Sequence, residues 1–492
     1  MKLCQIFIYL FLTVNLVGQF NNKVLFGEKN SAVLDFTNGN PIVINNDKVD
    51  LGLYVANASM CDEDGNLLFY TNGCHVYNKN FEIMENGSKI SNRGDLHSAF
   101  CGDSGSPVNG SVYIVPREGY ESQYFLIHTD YINAENEAHL YYSIIDMSKE
   151  EGLGEVVEKS LVVLKAPFSR MGMALTRHAN GIDWWIVYPK FESNCYYIFL
   201  LNSDGITFQS EQCLGNVWDY ADIQGQSTFS PNGKYYTRFL FQNGLNLFHF
   251  DNLNGILSNH IKVEFDFMPE IYYTGVGISP NSRFLYASAF NKLYQYDLSS
   301  ENFANSRLLV ADLETRDSLQ FQTRFNRMFL GPNGKFYIGG TLQFNYLHVI
   351  NNPDCKGRLC DLEQYAIRLY DLPGNSSFGV PILPHINVEP QDIDCDTVQI
   401  MSSVNEFYDI ENHFKHTLYP NPSSSNVSLS IPNFHGDYEV TFYNLTGTKQ
   451  ILIQSNSQES NINISSLIEG VYFYNIIVKG NKVASGKFIK IK

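Results

Sequence analysis

Four short stretches carry residue types that could do chemistry. Gly102-Asp103-Ser104-Gly105-Ser106-Pro107 sets a serine in a glycine-rich run of the kind that exposes a nucleophilic hydroxyl. That chemistry needs a histidine base in reach and a buried acid behind it. Upstream of Ser104 the only histidines are His75 and His97, on a stretch too short for the usual serine-protease frame, so we read a loop. Asp62-Glu63-Asp64-Gly65 suggests a calcium loop, but the required register puts Met60 where an acid must stand. A hairpin turn explains it better. Arg93-Gly94-Asp95 spells the integrin tripeptide, which occurs by chance. His178, Asn180, Asp183 and Trp184 form the densest polar-aromatic cluster, where a ring and a carboxylate could hold a sugar or peptide. The competing reading is a hairpin in which Asn180-Gly181 turns, Asp183 caps and Trp184 packs inside, and it is the one favoured. The chain has no HExxH, P-loop, CxxC pair or sialidase-type Asp box, so no catalytic residue, metal or cofactor is assigned.

The elements that carry these residues repeat. Phe229-Ser230-Pro231-Asn232-Gly233-Lys234-Tyr235-Tyr236 aligns with Ile278-Ser279-Pro280-Asn281-Ser282-Arg283-Phe284-Leu285 and with Leu330-Gly331-Pro332-Asn333-Gly334-Lys335-Phe336-Tyr337, at spacings of 49 and 52. Each copy is an apolar strand, a Pro-Asn turn and an aromatic strand. A third strand follows in each, over 247–251, 293–297 and 347–351, and a fourth can be drawn, for example over 261–265. Upstream, 67–71, 112–115, 124–128, 140–145, 161–164, 184–188 and 196–201 read as strands too. Four strands every fifty or so residues predict an all-β fold, a β-propeller over 22–395 with seven blades, six or eight also fitting. Residues 33–36 or 42–44 are candidates for a strand that closes the ring by joining the last blade. Residues 396–416 read as a linker.

Residues 1–19 read as a signal peptide: Lys2, then an apolar run over 6–17, then small residues near Gly18. No later segment is long and apolar enough to span a bilayer. The formal net charge is -17, while 417–492 carry six Lys against four acids, so the acidity lies upstream. That argues against nucleic acid as a partner. Nine cysteines become eight once Cys4 leaves, an even number in an exported chain. The nearest pairs are the natural disulfide candidates: Cys61 with Cys74, Cys195 with Cys213, and Cys355 with Cys360.

From Thr417 the pattern changes to short alternating strands punctuated by glycine, which predicts a small antiparallel β-sandwich. Its motifs come in order: Tyr419-Pro420-Asn421-Pro422, then Phe442-Tyr443-Asn444-Leu445-Thr446-Gly447, then Gly470-Val471-Tyr472-Phe473, and last a strand with Lys487, Lys490 and Lys492. This segment resembles the C-terminal sorting domain of the type IX secretion system of Bacteroidota. The resemblance implies export to the periplasm, passage to the outer-membrane surface or medium, and the secretion machinery as a partner. The upstream part is similar to exported Bacteroidota proteins with WD40/YVTN-like repeats, through Asp64-Gly65-Asn66-Leu67-Leu68-Phe69-Tyr70, Tyr141-Tyr142-Ser143, the 178–185 stretch and the Ser-Pro-Asn turns. That resemblance transfers no activity. The expected function is a non-enzymatic binding, adhesion or scaffold protein with an unidentified extracellular ligand or protein partner. The rivals are a hydrolase or lyase acting on glycans or peptides, and a self-associating surface-layer component.

Overall fold

The computed structural model describes residues 20–492 except 28–30, 47–51, 54, 91–100, 102–104, 109, 132–137, 170–171, 218–224, 241–242, 266–273, 315–322, 341–343, 370–378, 387, 392, 394, 396–415, 433–435, 445–447 and 479–480. The signal segment, Arg93-Gly94-Asp95, Ser104, Gly447 and all of the linker but His416 lie outside the described residues. The chain divides into two compact units, Met1–Ile393 and Asp394–Lys492.

The first unit is a β-propeller. Among its described residues are seven antiparallel sheets in chain order, each a simple meander. The first, of three strands, holds Lys23–Phe26, Ser31–Asp35 and Ile42–Asn46. The second, also of three, holds Ala58–Cys61, Leu67–Thr71 and Val76–Asn78. The other five have four strands and begin with Val112–Pro116, Ala174–Arg177, Gly225–Phe229, Thr274–Ile278 and Met328–Leu330. Their outer strands are Glu155–Ala166, Gly205–Cys213, Ile256–Val263, Leu308–Asp312 and Leu362–Arg368. The fourth strand expected at 261–265 thus starts five residues earlier.

Alternation explains the packing. Both faces of a middle sheet are covered, so inner strands such as Thr274–Ile278 and Met328–Leu330 are buried throughout. A separate apolar cluster fills each gap between neighbouring sheets: first and second around Leu25, Leu53 and Tyr70; fourth and fifth around Trp185, Tyr196 and Phe248; sixth and seventh around Tyr286, Met328 and Phe336. The ring closes by packing of the seventh sheet on the first, with Phe26 beside Phe329 and Phe36 edge-on to Tyr337. This corrects the expectation of a shared closing blade: 33–35 and 42–44 belong to the first sheet, where Ser31–Asp35 pairs with Lys23–Phe26 on one side and Ile42–Asn46 on the other. Gly275 makes one close approach possible, because a Cβ there would lie 2.0 Å from the Asn326 carbonyl oxygen.

The second unit is a sandwich of two antiparallel sheets. Thr417–Tyr419, Asn426–Ser430 and Glu459–Asn463 form one; Lys449–Ser455, Tyr438–Tyr443, Gly470–Val478 and Asn481–Lys490 form the other. Val427, Leu429, Val440, Phe442, Ile462, Tyr474 and Phe488 meet in a single core between them.

Candidate binding surfaces and the sorting motif

The Ser-Pro-Asn repeats are inter-sheet clamps. In the second copy the Asn281 side chain caps its own turn, accepting from Arg283 N at 3.0 Å and from the Ser279 hydroxyl at 2.7 Å. The Asn281 amide N–H then donates to Asp354 Oδ1 of the seventh sheet at 2.8 Å. One sheet earlier, Asn232 N–H donates to the Ser282 hydroxyl at 3.1 Å. Burial pushes the Asp354 carboxyl above its ordinary range, against the N–H donors from Asn281 and Gln391. In these two turns the asparagine N–H groups are spent on holding neighbouring sheets together.

The axis of the ring is filled by the chain itself. After the seventh sheet, residues 379–391 touch opposed sheets in turn. A Cβ on Gly379 would meet the Val55 carbonyl at 2.6 Å, and Ile382 packs on Gly110; both contacts lie ahead of inner strands. Further on, His385 Nε2 donates to the Phe229 carbonyl, at the far end of the fifth inner strand, at 2.9 Å. Ile386 packs in the cluster of the third and fourth sheets and Leu383 in that of the seventh and first. Gln391 ends the run, its N–H donating to Asp354 Oδ2 at 3.0 Å. A segment that meets opposed inner strands, first at their starts and then at their ends, runs down the middle. Gln226 adds to the filling: its side chain donates to Met328 O at 2.6 Å and accepts from Val276 N at 3.2 Å.

The cluster at His178, Asn180, Asp183 and Trp184 forms the turn between the first two strands of the fourth sheet. Asn180 Oδ1 accepts from the N–H groups of Ile182 and Asp183, both at 3.0 Å, and Asn180 Nδ2 donates to Asp183 Oδ2 at 2.7 Å. His178 Nδ1 accepts from Asn180 N–H at 2.9 Å, and its ring stacks on Trp185. Trp184 is buried between the third and fourth sheets with Arg177 over its ring at 4.2 Å. The four residues do come together, with polar atoms of His178, Asn180 and Asp183 turned on one another. At Asp62 the carboxylate likewise accepts from Asp64 N and Asn66 N, closing a hairpin.

Sequence reasoning missed a buried ionisable group in the third sheet. Asp130 Oδ2 accepts from the Tyr141 hydroxyl at 3.0 Å, and its other oxygen lies 3.5 Å from His139 Nδ1. Burial raises the Asp130 carboxyl pKa, partly offset by the His139 N–H and Tyr141 donors. These residues alternate on strands 123–131 and 138–146, a pattern visible in sequence only once the two strands are known to pair.

Two of the three disulfide candidates need correction. Cys195 and Cys213 are joined, as directly paired residues of adjacent strands. Cys74 bonds Cys101, while Cys61, at the end of strand Ala58–Cys61, is a free buried thiol. Cys355 and Cys395 are both disulfide-bonded, while Cys360 is a free buried thiol. Burial pushes the thiols of Cys61 and Cys360 up to about 12, so neither is a ready nucleophile. Cys195, Glu211 and Cys213 lie close together, but both sulfurs are committed to the disulfide.

In the second unit the opening and closing motifs are one site. Asn421, in the turn of Tyr419-Pro420-Asn421-Pro422, donates to Lys487 O at 3.0 Å and accepts from Ile489 N at 2.9 Å. Ser423 N donates to Ile489 O, and Ile491 N to Ser423 O, so the turn is stitched to the last strand. Tyr419 hydrogen-bonds Glu459, and Tyr472 stacks on Phe488 while its hydroxyl donates to Ile468 O. Lys490 is buried and donates to Ile491 O at 2.7 Å, whereas Lys487 and Lys492 are exposed. Gly470 opens the strand that carries Tyr472.

No curated protein matches the chain. Solved structures similar to it include a provisionally assigned 6-phosphogluconolactonase from Bacteroides fragilis, at 10% identity and TM-score 0.37, covering 73% of this chain and 97% of that one. Another from Bacteroides uniformis has 14% identity and TM-score 0.35 over 67% of this chain and 92% of that one. AztD of Citrobacter koseri has 11% identity and TM-score 0.32, over 67% and 90%. Among the described residues no helix is long and apolar enough to cross a membrane. Residues 417–492 match the family described as the secretion system C-terminal sorting domain, so this is a β-propeller sorted by the type IX system to the cell surface or medium.

Proposed function

We propose that the mature protein is a non-enzymatic binding or scaffold propeller at the cell surface, cut from a signal peptide at 1–19 and joined by a linker at 396–416 to its sorting domain. We take each of the seven sheets of the ring, over 22–395, as a blade. The observation that supports a binding role is the filled axis. A propeller hydrolase needs a cavity in which carboxylates face a substrate. Here Val380, Leu383, His385 and Ile386 occupy that position, and among the described residues no carboxylate cluster opens on it. What remains for recognition is the rim and ends of a rigid ring.

The rival is a glycan- or peptide-cleaving enzyme. Asp130 and His139 are the pair that favours it, since an acid with a raised pKa beside an imidazole can move a proton. The test is to pass the purified full chain over immobilised surface glycans and extracellular peptides and follow both retention and released products by mass spectrometry. Retention without product supports binding. Product that disappears with Asp130→Asn overturns it. Sorting is tested separately by deleting 417–492 in the native host: the truncated chain should stay in the periplasm.

A further inference from the structure

Among the described residues, the outer rim of the ring is protected at six of seven sheets and open at one. The five four-stranded sheets end in strands that carry both a β-bulge and charge. Register shifts break the outermost pairing of each. The charges are Glu155, Glu158, Lys159 and Lys165; Glu211; Lys262; Asp312; and Glu363 with Arg368. Bulges and charges are what keep an edge strand from pairing with another chain. The second sheet ends in the short strand Val76–Asn78, which its own downstream residues cover: Val76 N donates to Gly87 O, Met84 N to Val76 O and Asn78 N to Glu82 O.

Among the described residues the first sheet has neither protection. Its outer strand, Ile42–Asn46, reads Ile-Val-Ile-Asn-Asn, with no charge and no proline. It pairs with Ser31–Asp35 in unbroken register. Among the described residues it makes no other backbone hydrogen bond and no strand lies on its far side. Ile42 and Ile44 are 55% and 44% exposed, on one face of the strand, while Val43 packs on the cluster shared with the seventh sheet. Alternate residues of an antiparallel edge strand turn their N–H and C=O outward, so the edge offers a ladder with an aliphatic stripe beside it.

We propose that Ile42–Asn46 accepts an added β-strand from a partner protein: an extended, basic peptide with aliphatic residues at every second position. The alternation follows from Ile42 and Ile44, which need apolar cross-strand neighbours. The charge follows from the formal net charge of -17, which attracts a cationic strand and repels a second copy of the chain. Size points the same way. Pairing two strands of five residues buries far less than the roughly 1,200 Å² of a stable dimer, so this edge alone would not hold a second copy of the chain. The inference goes beyond the binding reading above, since an edge strand takes a peptide whether or not the ring holds a glycan.

The test uses the purified full chain and two labelled peptides of about ten residues. Both alternate valine and threonine; one has lysines at its ends and the other glutamates. Fluorescence anisotropy should show binding of the basic peptide, weakening as salt rises. Amide hydrogen exchange over 42–46 should slow when it binds. The double variant Ile42→Lys/Ile44→Lys, at exposed positions the fold tolerates, should weaken binding about tenfold or more. Leu308→Lys/Leu309→Lys, on a bulged rim, should leave it within about twofold. Binding undiminished in the first variant, or equal for both peptides, overturns the assignment. So does a concentration-dependent dimer of the wild-type chain that Ile42→Lys/Ile44→Lys makes monomeric, because the edge is then taken by a second copy.

Discussion

Two regions hold neighbouring sheets of the ring together, the turn at 279–283 and the segment at 379–391, and they do it in opposite ways. The turn is local, repeated and polar: its asparagine organises five residues and then reaches one neighbour through Asp354. The axial segment occurs once, has no regular secondary structure among its described residues, and binds sheets far apart in sequence through apolar side chains and a few hydrogen bonds. Losing a turn loosens one joint. Losing the axial segment empties the centre on which several inner strands rest. The two meet at Asp354, whose carboxylate takes Asn281 N–H with one oxygen and Gln391 N–H with the other.

Disturbing the axial segment should therefore have the largest effect. Ile386→Asp places a carboxylate in the apolar cluster that holds Val108, Tyr113 and Met173. The expected destabilisation is about 4 kcal/mol or more, from a buried unpaired charge. Chemical denaturation followed by tryptophan fluorescence would measure it. A variant as stable as the parent would mean that the segment is not part of the core.

Acid should act on the same segment. Burial lowers the pKa of His385 from 6.5 to about 4. Between those values the unfolded chain takes up a proton that the folded chain refuses. Stability is then full above pH 6.5, falls as the pH drops towards 4, and levels below it. The loss from this one group is roughly 3 kcal/mol. His128, lowered by burial to about 3, adds in the same direction. His385→Gln keeps a donor for Phe229 O and does not titrate. It should flatten the fall in urea midpoint between pH 6.5 and 4 relative to the parent.

The joint between the two regions comes next. Asp354→Ala strips the partner from two N–H groups, those of Asn281 and Gln391, and costs about 2 kcal/mol. The sharper reading is local. Hydrogen exchange should speed up at both amides together, while the Asn232 amide, held by Ser282, stays protected.

Much of the turn face was legible in the sequence and almost none of the axis. Ser230-Pro231-Asn232 and its copies state their turn within five residues and their period within a hundred, so strands, meander and repeat can be read directly. The sorting motifs are equally local, and their described residues lie on strands or turns of one sandwich. The axial segment gives no such signal. Val380, Ile382, Leu383 and Ile386 fall at helical spacing, but Pro381 and Pro384 between them forbid a helix, and their partners come from several different sheets of the ring, which no local pattern states. Cysteine pairing failed for the same reason. Only Cys195 and Cys213 belong to strands that pair directly, while Cys74 reaches a residue 27 positions on. Asp130 and His139 became a pair only through strand register.

The smallest effect belongs to the cluster that looked most like a binding site. Asn180→Ala removes the acceptor for two N–H groups and the donor to Asp183 at an exposed turn, where water replaces them. The expected cost is about 1 kcal/mol or less. Asn180 serves the turn, so the substitution should lower stability slightly and leave any ligand affinity of the ring unchanged. If affinity falls more than about tenfold while the denaturation midpoint holds, the side chain touches ligand. The turn face would then be a recognition surface as well as a clamp, and the contrast between a local joint and a filled axis would have to be redrawn around it.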